Sequence, residues 1–352
     1  MINFSISGKT IGYNYPVFFI AEAGVNHNGK LDLALKLVDV AADAGADAIK
    51  FQTFRAEQVV TSAGKMADYQ KKNIGKTESQ IEMLRKLEFN ESWYPKVISH
   101  CKKRGIIFMS TPHGHIESAD FLNGLGVPVF KIGSGDLTNK PFLEHVSRFG
   151  KPMILGTGMA TLSEVKDAAT WIKGTGNKKI IFLHCTTNYP CPAKEVNLKA
   201  MQTMIKELPD IFVGYSDHTE GWLVSSVAVA LGACVIEKHL TLDKNMKGPD
   251  HKASSNPEEL KNTIKAIRSV PIVMGSSLKK PVENEMKVSL IVRKSLVAIK
   301  DIKKGDIFGP ENIGIKRPGT GLTPRHYFSI LSKTCLRNIR ANTLIKKEHY
   351  ES

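Results

Sequence analysis

Residues 211–219 read IFVGYSDHT. An apolar run, Ile211 to Val213, leads directly into Ser216, Asp217, His218 and Thr219, so polar side chains gather where the apolar pattern stops. A single run of this kind is a turn. Recurrence is what decides the fold, and the pattern does recur: FFIAEAG (18–24), DAIKFQT (47–53), IIFMSTP (106–112) and VFKIGSGD (129–136) precede it, with PMILGTG (152–158) and IIFLHCTT (180–187). CVIEKHLT (234–241) follows it. Each is a short β-rich run with a polar tip. Between the runs lie helical stretches such as LDLALKLVDVAADAG, TLSEVKDAATWIKGTG and GWLVSSVAVALGA.

Eight such units predict an α/β fold, a (β/α)8 TIM barrel closing near residue 270. An open doubly wound sheet would not need eight runs of such even length. After the last run come KGPDHKASS and a helix over NPEELKNTIKAIRS. The expected division is a barrel domain over 1–275, a charged linker over 276–289 and a small, mostly β domain over 290–352.

Composition places the chain among ordinary globular proteins, with 42% hydrophobic and 24% charged residues in 352. No apolar run reaches the roughly 20 residues of a membrane helix, and MINFSISGKTIGYNYP lacks the regions of a signal peptide. The expectation is a cytoplasmic protein without a membrane partner. Five scattered cysteines fit reduced packing thiols rather than a disulfide framework or thiolate zinc site. The net charge of +15 raises nucleic acid as a partner. The lysines are spread over helix faces and turns without aromatic interleaving, however, so a solvated surface and no nucleic acid is the expectation.

In a TIM barrel, chemistry gathers at the C-terminal ends of the strands. Glu22, Lys50 with Gln52, Lys131 with Ser134 and Asp136, Thr187, Ser216 with His218, and Glu237 with His239 all stand there. Strand side chains alternate faces, so each i, i+2 pair can look into the same mouth. His218 and His239 on neighbouring tips could hold one divalent ion, the lesser alternative being two histidines merely hydrogen-bonded in the mouth. Lys50 and Lys131 end buried strands, where lysine is costly unless neutralised. Either an anionic ligand does so, with Ser134 in the GSGD turn adding donors, or Glu22, Asp136 or Glu237 does. His113 and His115 in TPHGH read as loop residues, His27 as loop or contact, and His184 as a satisfied barrel residue.

AEAGVNHNG, KFQTF, KIGSGD, HCTTNYP, GYSDHT, EKHLT and GPDHKAS occur in the order seen in the sialic acid synthases. KDIKKGDIF and KRPGTG in the tail are similar to that family's C-terminal antifreeze-like (SAF) domain. The resemblance implies an enzyme that condenses phosphoenolpyruvate with N-acetylmannosamine and water, giving N-acetylneuraminate and phosphate. The alternatives are a legionaminate-, pseudaminate- or spore-coat-type synthase, a phosphosugar-condensing synthase, or a carbohydrate- or nucleic-acid-binding protein without catalysis. Implied ligands of Mn2+ or Mg2+ are His218 and His239. Lys50, Lys131, Ser134, Thr187 and Ser216 would hold phosphoenolpyruvate, with Thr157 compensating for Gly156 where the family often has serine. Glu22, Asp136 and Glu237 would handle protons. Gln52, Tyr189 and Asp250 would contact the amino sugar, and Arg317 would reach it from the partner of a domain-swapped homodimer. A further sugar-binding asparagine has its nearest match in Asn73.

Overall fold

A computed structural model describes residues 3–61, 64 and 79–351; Asn73 lies outside them. Residues 1–275 form one unit and 276–352 a second.

The first unit opens with a hairpin, β1 (Phe4–Ile6) and β2 (Lys9–Ile11), joined by Ser7 and Gly8, both at positive φ. A two-residue loop of that kind matches the twist of the strands it joins. Eight strands follow: β3 (Phe18–Gly24), β4 (Ala48–Gln52), β5 (Ile107–Thr111), β6 (Phe130–Ile132), β7 (Met153–Gly156), β8 (Ile180–His184), β9 (Phe212–Asp217) and β10 (Val235–His239). Their order is β5-β4-β3-β10-β9-β8-β7-β6, and every ladder is parallel. The expected barrel is therefore present and nearly closed. Between β5 and β6 no ladder forms among the described residues, because the three residues of β6 give way at once to a turn over Ser134–Asp136.

These strands are buried on both faces, which is why they read as near-continuous apolar runs. Ile20, Ala48, Met109, Ile154, Ile181 and Val235 fill the interior of the barrel, where Ile6 and Ile11 of the hairpin join them. Phe19, Ala21, Ile49, Leu155 and Ile236 pack outward against helices such as Leu31–Asp43 and Leu162–Gly174. The hairpin thus stoppers the end of the barrel where the strands begin. Tyr13 fastens it by donating to the Ile211 carbonyl and accepting from Val213 N–H. Among the described residues, the open end is the one where the strands finish.

The second unit has its own core, with Leu296, Ile302, Phe308, Ile313, Ile330 and Ile345 buried together. Its strands are β11 (Ser295–Ala298) and β12 (Ile313–Lys316), antiparallel, and isolated bridges extend the pairing. The segment expected as a linker is part helix, Glu283–Val292, none of whose residues is buried. Among the described residues no helix is long and apolar enough to cross a membrane.

Candidate active site

A cavity of about 470 Å3 opens where the strands end. Glu22, Lys50, Gln52, Lys131, Ser134, Asp136, Thr187, Tyr189, Ser216, His218, Glu237, His239 and Asp250 all line it. Alternation places them there. On β9 and β10, Ser216 and Glu237 point inward, and His218 and His239 do so one pleat further along. The strand over 211–219 therefore ends in a site, not in a surface turn.

The floor carries two cations and two carboxylates. Lys50 Nζ stands 2.6 Å from Glu22 Oε2 and 4.0 Å from Glu237 Oε1, and donates to Thr111 Oγ1 at 3.0 Å. Lys131 Nζ lies 3.3 Å from Glu237 Oε1, which also accepts from Ser216 Oγ at 3.3 Å. Both lysines are at most 5% exposed. Of the carboxylate partners considered from the sequence, Glu22 and Glu237 thus pair with the lysines and face the cavity with them, whereas Asp136 turns to Asn139. Glu237 Oε2 has no hydrogen-bond partner among the described residues.

Burial pushes Glu22 up to about 7, only partly offset by Lys50. Burial also raises Glu237, but Lys131 and Lys50 outweigh it and hold that carboxyl near 2. The two carboxyls therefore suit different tasks at neutral pH, one exchanging protons and one staying charged. A bulge helps to place Glu22. The β3–β4 register shifts between Glu22 and Gly24, and Gly24 sits at φ 52, where a Cβ would come within 3.2 Å of Glu22 Oε1.

The two imidazole rings are 5.6 Å apart between centroids. His218 Nδ1 is tied to the Thr186 carbonyl at 2.7 Å, leaving Nε2 as its open nitrogen, while His239 Nδ1 is buried without a partner. Burial lowers both pKa values, so both rings are neutral, as metal coordination requires. No cluster of three or more His, Cys, Asp or Glu groups that could hold an ion occurs among the described residues. A two-imidazole set keeps the remaining positions for water and substrate. Imidazole donors suit a divalent transition-metal ion better than magnesium, which prefers oxygen donors.

Tyr189 packs on both rings, with centroids 4.1 Å from His218 and 5.5 Å from His239. Asp250, pushed up to about 6 by burial, and half-buried Asp136, also raised by burial, lie on the same cavity.

Some expectations change. Thr157 is not part of the lining: its hydroxyl donates to the Leu183 carbonyl at 3.0 Å, and the bare backbone of Gly156 faces the cavity instead. A Cβ on Gly156 would meet Ser134 Oγ at 2.7 Å. Cys185 is more than a packing thiol, since it lines the cavity 3.3 Å from Ser134 Oγ. His113 also lines the cavity, with Nε2 unpartnered and its pKa lowered to about 4, first by burial and then by Lys50 and Lys131. A histidine two residues past a strand end, beside Gly114, was the available signal. His27 is buried instead among Phe51, Phe89 and Trp93. His184 is satisfied by the Val196 carbonyl. Arg317 is exposed in the second unit, just after β12.

The sequence model of the NeuB family matches residues 37–279, and that of the SAF domain matches residues 293–351. N,N'-diacetyllegionaminic acid synthase of Campylobacter jejuni is 50% identical over 330 residues, 93% of this chain and 98% of the relative. The protein of that name from Legionella pneumophila is 45% identical, covering 99% of each chain. Among solved structures, the sialic acid synthetase of Leptospira borgpetersenii superposes with a TM-score of 0.71 at 33% identity, over 82% of this chain and 95% of that one.

Proposed function

The chain belongs to the NeuB family, and we propose that it is a phosphoenolpyruvate-dependent nonulosonate synthase making N,N'-diacetyllegionaminate. Its acceptor on this reading is the open-chain aldehyde of a 2,4-diacetamido-trideoxymannose. N-acetylneuraminate was the first expectation. The end-to-end likeness to two legionaminic acid synthases, at 50% and 45% identity, favours the alternative over it. The observation that carries the chemistry is the pair Lys50 and Lys131, buried on one cavity floor beside two neutral imidazoles.

Lys50 and Lys131 hold the phosphate and carboxylate of phosphoenolpyruvate, with Ser134, Ser216 and Thr187 adding hydroxyl donors. His218 and His239 hold the divalent ion, which when bound supplies Lewis-acid polarisation of the aldehyde. The enol carbon attacks the aldehyde carbon. Water adds to the resulting cationic C2, the new alkoxide on the sugar takes up a proton, and the tetrahedral C2 collapses to the ketone as its C–O bond to phosphate breaks and its hydroxyl proton leaves with phosphate. Glu22 takes the proton from that water, and Glu237 stays ionised to stabilise the cation. Gln52, Tyr189, Asp136 and Asp250 orient the sugar. Arg317 contacts the sugar from the partner in a domain-swapped homodimer.

Phosphate release in the presence of manganese, measured with the diacetamido sugar and with N-acetylmannosamine, tests the reading. Faster turnover of the diacetamido sugar is expected. Equal or better turnover of N-acetylmannosamine removes the sugar assignment. Unchanged turnover by His218→Ala, with metal still required, removes the metal assignment.

A further inference from the structure

The cavity has two unlike walls. One is the charged floor already described. The other is apolar: Val25 from the loop after β3, and Met83, Leu84 and Leu87 from the helix Gln80–Arg85 and the turn after it. With Phe54 these residues form a small hydrophobic cluster of their own, separate from the core of the barrel. Met83 is 2% exposed and Leu87 7%. Gln80 sets an amide at the edge of this wall.

The helix that carries the wall is anchored at both ends. Ser79 and Glu82 cap its start reciprocally, with Glu82 N–H donating to Ser79 Oγ and Ser79 N–H to Glu82 Oε2. Arg85 is held to Glu57 by two donors at 2.8 and 2.6 Å. The wall is therefore a built surface and not a chance exposure of three side chains.

Phosphoenolpyruvate gives it nothing to bind, being phosphate and carboxylate around two carbons with one methylene. An acceptor bearing a hydroxyl at every carbon fares no better, since hydroxyls turned to Met83 and the leucines lose their hydrogen bonds. What an apolar wall binds is methyl groups. The aldehyde must lie toward the histidines and lysines to react, so the wall takes a part of the acceptor remote from the aldehyde.

Building on the synthase reading, we propose that Met83, Leu84 and Leu87, backed by Val25, determine acceptor specificity by selecting a sugar deoxygenated at its far end and N-acylated. Its terminal methyl and acetamido methyl groups replace hydroxyls against these side chains.

The test uses the full-length protein with saturating phosphoenolpyruvate and manganese. It compares kcat/KM for N-acetylmannosamine, for its 6-deoxy derivative and for the 2,4-diacetamido-trideoxymannose. A single methyl or methylene against an apolar pocket discriminates by about 10–200-fold, so the 6-deoxy sugar should exceed N-acetylmannosamine by about tenfold or more. Leu84 lies on the partly exposed edge of the wall, and Leu84→Gln should collapse that ratio toward one through KM for the sugar. The KM for phosphoenolpyruvate and the metal requirement should not move, and Leu84→Met should restore the ratio.

Equal handling of the 6-deoxy and fully hydroxylated sugars by the unmodified protein overturns the wall, whatever the variants do. So does an unchanged ratio in a folded Leu84→Gln protein. Either result with the diacetamido sugar still preferred leaves the legionaminate reading standing. Preference for N-acetylmannosamine over both deoxy sugars overturns the legionaminate reading and the wall together.

Discussion

Two buried clusters of opposite charge lie back to back across β9 and β10. On the cavity side are Glu22, Lys50, Lys131 and Glu237. On the helix side, one residue along each strand, are Asp217 and Lys238. The outer cluster is complete. Asp217 accepts from Thr219 N–H, Thr219 Oγ1, Ser225 Oγ and Lys238 Nζ, all within 2.9 Å, and Lys238 donates again to the Thr219 carbonyl. The inner cluster is open: apart from Lys50–Glu22 at 2.6 Å its ion pairs stand at 3.3 and 4.0 Å, and Glu237 and neighbouring His239 carry unpartnered atoms. Buried charge satisfied by the protein is scaffold, and buried charge left partly unsatisfied is where a ligand completes the set. The outer pair ties together the two strands whose tips carry the histidines, and the inner group faces the cavity.

That contrast can be broken from either side. The largest effect should come from Asp217→Ala. It strands Lys238 in a 3%-exposed site and should cost about 3–5 kcal/mol in urea denaturation, with KM for phosphoenolpyruvate little changed. Lys131→Met should do the reverse. It should lower kcat/KM for phosphoenolpyruvate by about 10²–10³-fold, with a smaller loss of stability than Asp217→Ala. If both variants lost stability and activity in the same proportion, the division into scaffold and site would not hold.

Glu22 sharpens the inner side. As the base for water it must be ionised, so kcat/KM should fall as pH drops below about 7, and Glu22→Gln should abolish that limb along with most activity. Because its folded pKa lies above the usual 4.5, the folded state holds the extra proton between those values. Stability contributed through Glu22 is therefore full at low pH and declines as pH rises from about 4.5 to about 7. Denaturation of Glu22→Gln across that range should show a flatter profile. The smallest effect belongs to Gly156→Ser. It crowds Ser134 Oγ, which also accepts from Gly158 N–H, and should cost about 1 kcal/mol in phosphoenolpyruvate affinity, by isothermal titration.

The barrel and most of its cavity lining were legible because period-2 alternation and strand-end polarity are local signals. IFVGYSDHT and CVIEKHLT place inward residues without any knowledge of the neighbours. Partnerships are not local. Nothing in the sequence says that Thr157 turns to Leu183, that Asp217 and Lys238 share one bond, or that Met83 and Leu84 face a cavity rather than a core. The short β6, which makes no ladder to β5, reads in VFKIGSGD like any other strand. The hairpin around Ser7 and Gly8 was readable from its turn, but three-residue strands carry too little pattern to register.

That hairpin has a kinetic consequence. With the far end stoppered by Ile6 and Ile11, the described residues leave the strand-end mouth as the way in and out. On the synthase reading, both substrates and both products share that opening.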